Sequence, residues 1–432
     1  MRFQASHLSN KKPRQIKNRE VHSIMTTYLR KAIGTPSAVL AAFVAAAFIE
    51  RTFFRVNKDR AIYCAPSLQD PRHPLATHIE KILQARPNLK NPNYNPPFWA
   101  FNSWINILVF VLKQRFSTYF DHRNQLLHRD YLPTDDGTTT RLSIDSLRED
   151  NDDDNLYDVK LDAPLLLILP TITGSGSSHT YLMKMAAARG WRPLCLNRRG
   201  LADELDTARF NVMGDQDDTI LQVQYVRKKY NNATFVGMMG LSAGSGLLVN
   251  YLGASGSSCG VDAACCLCPA YDVESAFKNF HHQYPKVDGL LLRDVKKKYV
   301  LANEKMLREY NSDAVDACLE ADSIDTFLHA HIPFTGSPNE KEYFKRSNPM
   351  AHVFGIRIPV MILNSEDDMV CLPENIREDL AAECGGVLLL RTAEGSHIAY
   401  TEGWNGGGNY LVRTSLEFLE GAREVGATVE EF

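Results

Sequence analysis

The sequence predicts an α/β fold with a mostly parallel central sheet, helices on both of its faces and a helical insertion. From residue 164 onward, short apolar runs alternate with amphipathic segments, a pattern typical of strands joined by crossover helices. The predicted strands are "PLLLILP", "RPLCLN", "TFVGMMG", "VDAACCLCPA", "RIPVMILNSEDD" and "GGVLLLRTAEGSH". Residues 272–350 interrupt the alternation with charged, mostly helical sequence, so we expect a lid there.

Composition limits the class of protein. The chain has 432 residues, 44% hydrophobic and 23% charged, which suits one large globular domain with extensions or two modest domains. A formal net charge of -3 argues against a nucleic-acid binder, which usually presents a basic face. Several of the nine cysteines crowd the run "AACCLC". We interpret this run as a buried strand and expect no metal or cofactor, because no histidine or second C-x-x-C pair accompanies it.

The N-terminus differs in composition from the rest of the chain. Residues 1–31 are rich in lysine and arginine with a single acid, Glu20, and the apolar run "PSAVLAAFVAAAFI" follows at residues 36–49. The run is shorter than the roughly 20 residues of a spanning helix, so three interpretations remain open: a signal-anchor helix, a cleaved signal or transit peptide, and a buried helix. Basic residues are denser before the run, which would leave the N-terminus in the cytosol if the helix spans.

We favour the signal anchor, which predicts a single-pass membrane protein in the endoplasmic reticulum or another endomembrane. An organelle-targeted or soluble protein is the alternative. Together with the strand pattern, this divides the chain into five predicted regions: 1–60, the basic N-terminus and candidate anchor; 61–130, an irregular and helical extension; 131–271, the first part of the core; 272–350, the helical lid; and 351–432, the second part of the core.

The extension contains three patterns. Proline-rich sequence from residue 60 to 100 predicts an irregular segment lying over the core. "WINILVFVLKQRF", residues 104–116, has the length and apolar side of a helix that packs on the core or touches a membrane. "RDYLPTDDGTTTRLSID" predicts a hairpin with Asp136-Gly137 at its turn.

The stretch "GLSAGSG" carries the strongest chemical motif. Gly240-Leu241-Ser242-Ala243-Gly244 fits G-x-S-x-G, in which a serine sits on a strained turn between a strand and a helix. The apolar run "TFVGMMG" precedes the motif and a helical pattern follows it, so a generic glycine-rich loop is the weaker interpretation. We predict that Ser242 is a nucleophile and that Gly240 and Gly244 form its elbow, where a Cβ would collide with neighbouring backbone.

An acid and a base follow the serine along the chain. Asp367 and Asp368 end one predicted strand, and His397 lies in the loop after the last one. The order Ser242, Asp368, His397 is that of the α/β-hydrolase triad, in which the acid orients the histidine and the histidine activates the serine. We favour Asp368 as the acid from its position after the strand, and Asp367 remains the alternative.

An oxyanion hole should complete this site with two backbone N–H groups. One is expected from Ala243, directly after the nucleophile, and the other from the loop "TITGSGSS" after the first apolar strand. Within that loop Ile172 is the favoured donor, with Thr171 and Thr173 as alternatives.

Several of these stretches together resemble the YheT-like, embryogenesis-associated group of α/β-hydrolase-domain proteins. They are "PPFWAFNSWINI", "LPTDDGTTTRLSID", "LPTITGSGSSHTYLMKMAAARGWRPLCLNRRG", "GDQDDTILQVQYVRKKY", "GLSAGSGLLVNYLG", "NPMAHVFGIRIPVMILNSEDD" and "EGSHIAYTEG", spread over about residues 95–420. The resemblance implies a carboxylester hydrolase or phospholipase that acts on acyl lipids, often with one N-terminal membrane anchor. Ser242, Asp368 and His397 fall on the triad of that group.

Three positions depart from the group's pattern. Thr171 stands where the group commonly has glycine, Ser245 where it usually has a second glycine after the elbow, and Met369 where proline often follows the paired acids. Thr171 bears on the geometry of the oxyanion hole, although a backbone donor tolerates a side chain that points away.

The leading hypothesis is a serine hydrolase of lipid-like esters, such as acylglycerols or phospholipids, that forms an acyl-Ser242 intermediate which water cleaves. Its partners would be an acyl-lipid ester and, through the N-terminal segment, a membrane. Acyl transfer to an alcohol on the same triad is one alternative. A non-catalytic protein that keeps the hydrolase fold to bind lipid is another.

Overall fold

A nine-stranded sheet forms the centre of the computed structural model, which describes residues 59–64, 74–100, 102–123, 126–133, 139–148 and 159–426. The strands of this sheet are β1 (Arg60–Tyr63), β2 (Leu127–Pro133), β3 (Thr139–Leu147), β4 (Leu165–Leu169), β5 (Arg192–Leu196), β6 (Val236–Leu241), β7 (Ala263–Leu267), β8 (Val360–Ser365) and β9 (Val387–Thr392). A separate two-stranded sheet consists of β10 (Thr401–Glu402) and β11 (Gly408–Asn409).

Helices cover both faces of the large sheet. Those that pack on the core are α1 (Pro74–Ala85), α2 (Ser103–Arg123), α3 (Thr180–Ala187), α4 (Gln216–Lys229), α5 (Ala243–Ser255), α11 (Glu378–Glu383) and α12 (Tyr410–Val425). Those between β7 and β8 are α6 (Val273–Gln283), α7 (Pro285–Val295), α8 (Glu304–Glu320), α9 (Ile324–Ala330) and α10 (Glu340–Ser347). These five helices lie within the predicted lid.

The strands lie side by side in the order β1-β9-β8-β7-β6-β4-β5-β3-β2. From β4 to β9 every neighbouring pair is parallel, whereas β1 pairs antiparallel with β9, β3 with β5 and β2 with β3. This arrangement confirms the predicted α/β class. Because β6 lies beside β4 and not β5, the strand order reverses at β4, and open parallel sheets bind ligands beyond the strand ends at such a reversal.

The central strands are continuous apolar runs because both of their faces are buried. Successive side chains of a strand point to opposite faces, and β4 shows the result. Leu166 and Ile168 enter the apolar layer beneath α1, α3 and α12, whereas Leu165 and Leu167 enter the layer beneath α4 and α5.

The predicted irregular segment from residue 60 to 100 contains two regular elements, so that prediction was wrong for part of it. The short strand β1 pairs with β9, from Arg60 opposite Arg391 to Tyr63 opposite Leu388. Helix α1 begins at Pro74, a favourable first helical position because the missing proline N–H would have no helical acceptor there. Proline frequency reports neither the distant pairing of β1 nor the apolar stripe of α1.

The other patterns of the extension have structural counterparts. The helix predicted at residues 104–116 is part of the longer α2, and the predicted hairpin corresponds to the antiparallel pair of β2 and β3. Its turn at Asp136-Gly137 lies outside the described residues, as does the candidate anchor at residues 36–49. Within the described ranges, no helix combines the length and the apolar character needed to cross a bilayer.

Candidate active site

Ser242 stands alone between β6 and α5, at the carboxyl edge of the sheet. β6 ends at Leu241 and α5 begins at Ala243, so a single residue makes the turn. Its φ of 54° lies in the left-handed region, which residues other than glycine rarely adopt. Strain of this kind persists only where the surrounding structure fixes it, and it clusters at functional sites.

Close backbone contacts fix this turn. A Cβ on Gly240 would lie 2.4 Å from the Gly244 carbonyl oxygen, and a Cβ on Gly244 would lie 2.2 Å from the Leu169 carbonyl oxygen. Both contacts are with backbone atoms that cannot swing aside, so both positions require glycine. Ser245, by contrast, uses its side chain: the buried hydroxyl donates to the Leu267 carbonyl oxygen at 2.8 Å and so joins α5 to the end of β7.

The structure brings Ser242, His397 and Asp368 into one hydrogen-bonded row. His397 Nε2 lies 2.8 Å from Ser242 Oγ, and His397 Nδ1 lies 2.9 Å from Asp368 Oδ2. A carboxylate only accepts, so Nδ1 carries the proton and Nε2 is free to accept the serine O–H. Asp368 Oδ1 accepts the N–H groups of Val370 and Cys371 at 2.7 and 2.9 Å, which fixes the carboxylate behind the imidazole.

The neighbouring acid occupies a different place. Asp367 Oδ1 accepts the backbone N–H of Ser396 at 2.7 Å, whereas the ring of His397 is bonded to Asp368. Burial, with smaller effects from Glu394 and Asp368, raises the pKa of Asp367 to about 7. Of the two acids that the sequence left open, Asp368 is therefore the one that contacts the histidine.

The histidine loop holds strain that no sequence pattern marks. Ser396, Ile398 and Tyr400 have φ values of 55°, 53° and 39°, although none of them is glycine. The loop is fastened from the neighbouring strand, since Ser365 Oγ donates to the Ser396 carbonyl oxygen at 2.9 Å. His397 is thus presented by a backbone whose shape depends on contacts with β8.

Comparison with known proteins finds lipases and esterases. No protein-family model matches the chain. It is 27% identical over 359 residues to phospholipase ABHD3 of Homo sapiens, an alignment that covers 81% of this chain and 83% of that protein. It is 25% identical over 338 residues to monoacylglycerol lipase ABHD2 of Danio rerio, covering 74% of this chain and 75% of that one.

Among solved structures, an esterase of Pyrobaculum calidifontis aligns with 73% of this chain and 92% of its own, at 12% identity and a TM-score of 0.46. The strand order, the serine elbow and the two ABHD relatives agree with one another. The chain has the α/β-hydrolase fold and is a carboxylester hydrolase.

The hydrolase has a small apolar cavity beside Ser242. Its volume is about 20 Å³, enough for a water molecule but not for an acyl chain. Ala276 and Phe277 of the lid helix α6 form one wall, and Met213 and Val370 line it from the core. These lid residues therefore bound the space next to Ser242.

The two predicted oxyanion donors of the hydrolase lie on adjacent elements. Ala243 is the first residue of α5, so its N–H has no acceptor within the helix. Ile172 lies in the loop after β4, and its side chain belongs to the same apolar cluster as Ala243. The carbonyl oxygens of Leu169 and Pro170 face Gly244, which brings this loop against the first turn of α5.

Thr171, which departs from the group's pattern, is accommodated inside the same loop. Its N–H is directed at His179 Nε2, 3.4 Å away, and its Oγ1 lies 2.5 Å from the position that a Cβ on Gly174 would occupy. Burial, followed by the charges of Arg198 and Lys298, lowers the pKa of His179 to about 3, so its ring is neutral and can accept. The threonine side chain thus contacts Gly174 within the loop.

One cluster of side chains in the hydrolase offers the types of atom that bind metal ions. Among the described residues, atoms of Cys268, Asp368 and His397 lie within 4.8 Å of one another. Both ring nitrogens of His397 are already used, one by Asp368 and the other by Ser242. Burial keeps the pKa of the Cys268 thiol well above its usual range, which disfavours the thiolate that a metal would need. These residues fit a hydrogen-bonded triad better than a metal site.

Proposed function

We propose that the protein is a serine hydrolase that cleaves carboxylic esters of acyl lipids, such as acylglycerols or phospholipids, through an acyl-Ser242 intermediate. The observation that carries this proposal is the row from Ser242 Oγ through His397 to Asp368 on a strained elbow. The protein is a carboxylester hydrolase, in keeping with its lipase-named relatives. Their names, phospholipase and monoacylglycerol lipase, support a lipid ester as substrate, as does the apolar lining of the cavity beside the serine.

Acylation would begin with attack of Ser242 Oγ on the ester carbonyl carbon while His397 Nε2 takes the hydroxyl proton. The carbonyl π electrons move to the oxygen, and the Ala243 and Ile172 N–H groups stabilise the resulting negative charge. Asp368 keeps the imidazole in the tautomer that accepts this proton and stabilises the imidazolium. When the C–O bond breaks, the alcohol leaves with the proton from His397.

Deacylation would repeat these steps with water. His397 Nε2 takes a proton from water as its oxygen attacks the acyl carbon, and the bond to Ser242 Oγ then breaks as the serine recovers its proton. The fatty acid is released and the free enzyme is restored. An alcohol in place of water would give a new ester, so product analysis separates hydrolysis from acyl transfer.

We also infer that the apolar run at residues 36–49 anchors the protein in a membrane, and that the chain belongs to the YheT-like, embryogenesis-associated group. The basic N-terminus and the length of the apolar run support the anchor, and the motifs between residues 95 and 420 support the group. Fractionation of the full chain tests the anchor: we expect it in the membrane pellet after an alkaline carbonate wash. Release into the supernatant would contradict an integral anchor.

A fluorophosphonate probe tests the activated serine. We expect labelling of the full-length wild type, no labelling of Ser242→Ala, and parallel loss of 4-nitrophenyl butyrate hydrolysis, because only an activated serine reacts with the probe. An unlabelled but folded wild type would contradict a serine hydrolase and favour a lipid-binding protein. Labelling that persists in Ser242→Ala would place the nucleophile elsewhere.

A further inference from the structure

The loop after β4 is held in place by hydrogen bonds to its carbonyl oxygens. Residues 171–174 are here called the oxyanion loop. Three consecutive carbonyl oxygens of this loop each accept a hydrogen bond from a side chain that lies outside it: Thr171 from Arg198 Nη1 at 2.5 Å, Ile172 from the Tyr299 hydroxyl at 2.9 Å, and Thr173 from Lys298 Nζ at 2.7 Å.

Holding a carbonyl oxygen also orients the following N–H. In a trans peptide the C=O and the N–H point in opposite directions, and no cis peptide occurs among the described residues. The bond from Arg198 to the Thr171 oxygen therefore fixes the direction of the Ile172 N–H, the predicted oxyanion donor. A hydrogen-bonded carbonyl also polarises its peptide group, which makes that N–H a stronger donor.

Arg198 is unusual for a buried cation. It is 6% exposed, and its Nε and Nη2 atoms have no acceptor among the described residues. Burying a charge without a carboxylate partner is costly, so the arginine is not there for stability alone. Its guanidinium donates to the Thr171 carbonyl oxygen, at the start of the oxyanion loop.

The other two donors come from the lid. Lys298 and Tyr299 belong to a π-helical turn, Lys296–Val300, between α7 and α8. Turns of this kind are rare and often mark functional sites. The Tyr299 ring is wholly buried and stacks on Phe210 with 5.3 Å between ring centroids, so its hydroxyl is rigidly placed against the Ile172 carbonyl oxygen.

We propose that Arg198, Lys298 and Tyr299 are positioning residues that hold the oxyanion loop in its active shape. Arg198 orients the Ile172 N–H, and the docked lid holds the two following peptide groups, so that this N–H keeps facing the reacting oxygen. This inference rests on the proposed function. The lid then has two effects, because it covers the cavity beside Ser242 and also holds the oxyanion loop. A lid that moves away leaves the loop without these two bonds until it returns.

Two variants with matched controls test the proposal. Tyr299→Phe and Lys298→Met each remove one donor to the oxyanion loop. Tyr251→Phe removes another buried tyrosine hydroxyl, which donates to the Cys259 carbonyl oxygen near the end of α5 remote from Ser242. Lys296→Met removes a donor in the same π-helical turn, but its acceptors are the carbonyl oxygens of Leu319 and Ala321 within the lid.

The readouts are kcat and KM for 4-nitrophenyl butyrate and the inhibition constant of a trifluoromethyl ketone, which forms a tetrahedral oxyanion on the serine. Direct loss of an oxyanion donor lowers kcat by about 10²–10³, so loss of a positioning contact should lower it by about tenfold. We expect KM to change less than about twofold, and the inhibitor to weaken by the same factor as kcat. Lys298→Arg, which keeps a cationic donor, should restore most of the rate.

The controls decide between a positioning role and a structural one. Equal kcat values for Tyr299→Phe and Tyr251→Phe, and for Lys298→Met and Lys296→Met, would overturn the proposal while an active wild type upheld the proposed function. A wild type without serine-dependent hydrolysis would overturn both. If Tyr299→Phe does not fold, the lysine pair still decides, because Lys298 lies partly exposed on the lid surface.

Discussion

The serine elbow and the oxyanion loop meet at the same edge of the sheet, yet their shapes are fixed by different means. The elbow is fixed by backbone contacts, since Gly240 and Gly244 leave no room for a Cβ. The oxyanion loop is fixed by Arg198, which follows β5, and by Lys298 and Tyr299 of the lid. A turn held by close backbone contacts keeps one shape, whereas a loop held by lid side chains depends on where the lid is.

The largest expected effect concerns the hydrogen-bonded row of side chains at the serine elbow. Asp368→Asn should lower kcat for 4-nitrophenyl butyrate by about 10⁴, because an amide cannot hold the reactive tautomer of His397. Asp367→Asn should lower kcat by less than about tenfold, because Asp367 bonds the loop backbone at Ser396 and not the ring. Equal losses in the two variants would contradict the assignment of Asp368 as the triad acid.

A pair of glycine substitutions compares the elbow with the lid. Gly244→Ala should destabilise the protein by about 3 kcal/mol or more, because its Cβ would lie 2.2 Å from a backbone oxygen. Gly289→Ala, in the interior of α7, should stabilise it by about 0.4–1 kcal/mol, because the added Cβ would meet no atom within 4 Å beyond its own helix and alanine favours a helix. Urea unfolding of both variants measures the contrast, and a tolerated Gly244→Ala would show that the elbow can relax.

The pH dependence of stability should be set in part by Asp367. Its pKa is raised to about 7, so the folded protein binds this proton more tightly than the unfolded chain does. The resulting stability is fully present below about pH 4 and is lost as the pH rises through about 7, a change of at most about 4 kcal/mol. We expect Asp367→Asn to flatten the curve of unfolding free energy between pH 4 and 8. Parallel curves for the variant and the wild type would show that the carboxyl stays ionised in both states.

The smallest expected effect lies on the surface of the lid. Glu304 and Arg308 form an ion pair at 2.8 Å, four residues apart on α8, with both side chains partly exposed. Such pairs contribute about 0.3–0.5 kcal/mol, so Glu304→Gln should change the unfolding free energy by less than about 0.5 kcal/mol and leave kcat unchanged. A loss above about 1.5 kcal/mol would mean that this pair contributes more than exposed ion pairs on helices do.

The parts of the site that the sequence predicted are those with local causes. A glycine two residues before and after a serine, between an apolar run and a helix, already describes the turn at Ser242. Paired acids after one strand and a histidine after the next follow from the rule that parallel strands present their ends at one edge. The count from the start of the strand favoured Asp368 but left Asp367 open, and the contact between Asp368 and His397 separates the two.

The parts that the sequence did not predict depend on contacts between distant segments. Lys298 and Tyr299 reach the oxyanion loop from 125 and 127 residues away along the chain. In the sequence these two residues lie in a charged helical insertion, where such side chains usually face solvent. Their contacts with the oxyanion loop become evident only in the three-dimensional structure. The left-handed backbone at Ser396 could not be predicted from the sequence either, because it depends on hydrogen bonds with neighbouring strands and loops.

The strand β1 also has a consequence for how the protein behaves in solution. Its residues, Arg60–Tyr63, occupy the hydrogen-bonding edge of β9, the strand that leads to His397. An uncovered strand edge recruits strands from other molecules. A chain cleaved after Tyr63 would therefore expose the unpaired backbone groups of β9, on the side of the sheet that carries His397. Light scattering would detect the self-association of this shortened chain, although all the residues of the candidate active site would still be present.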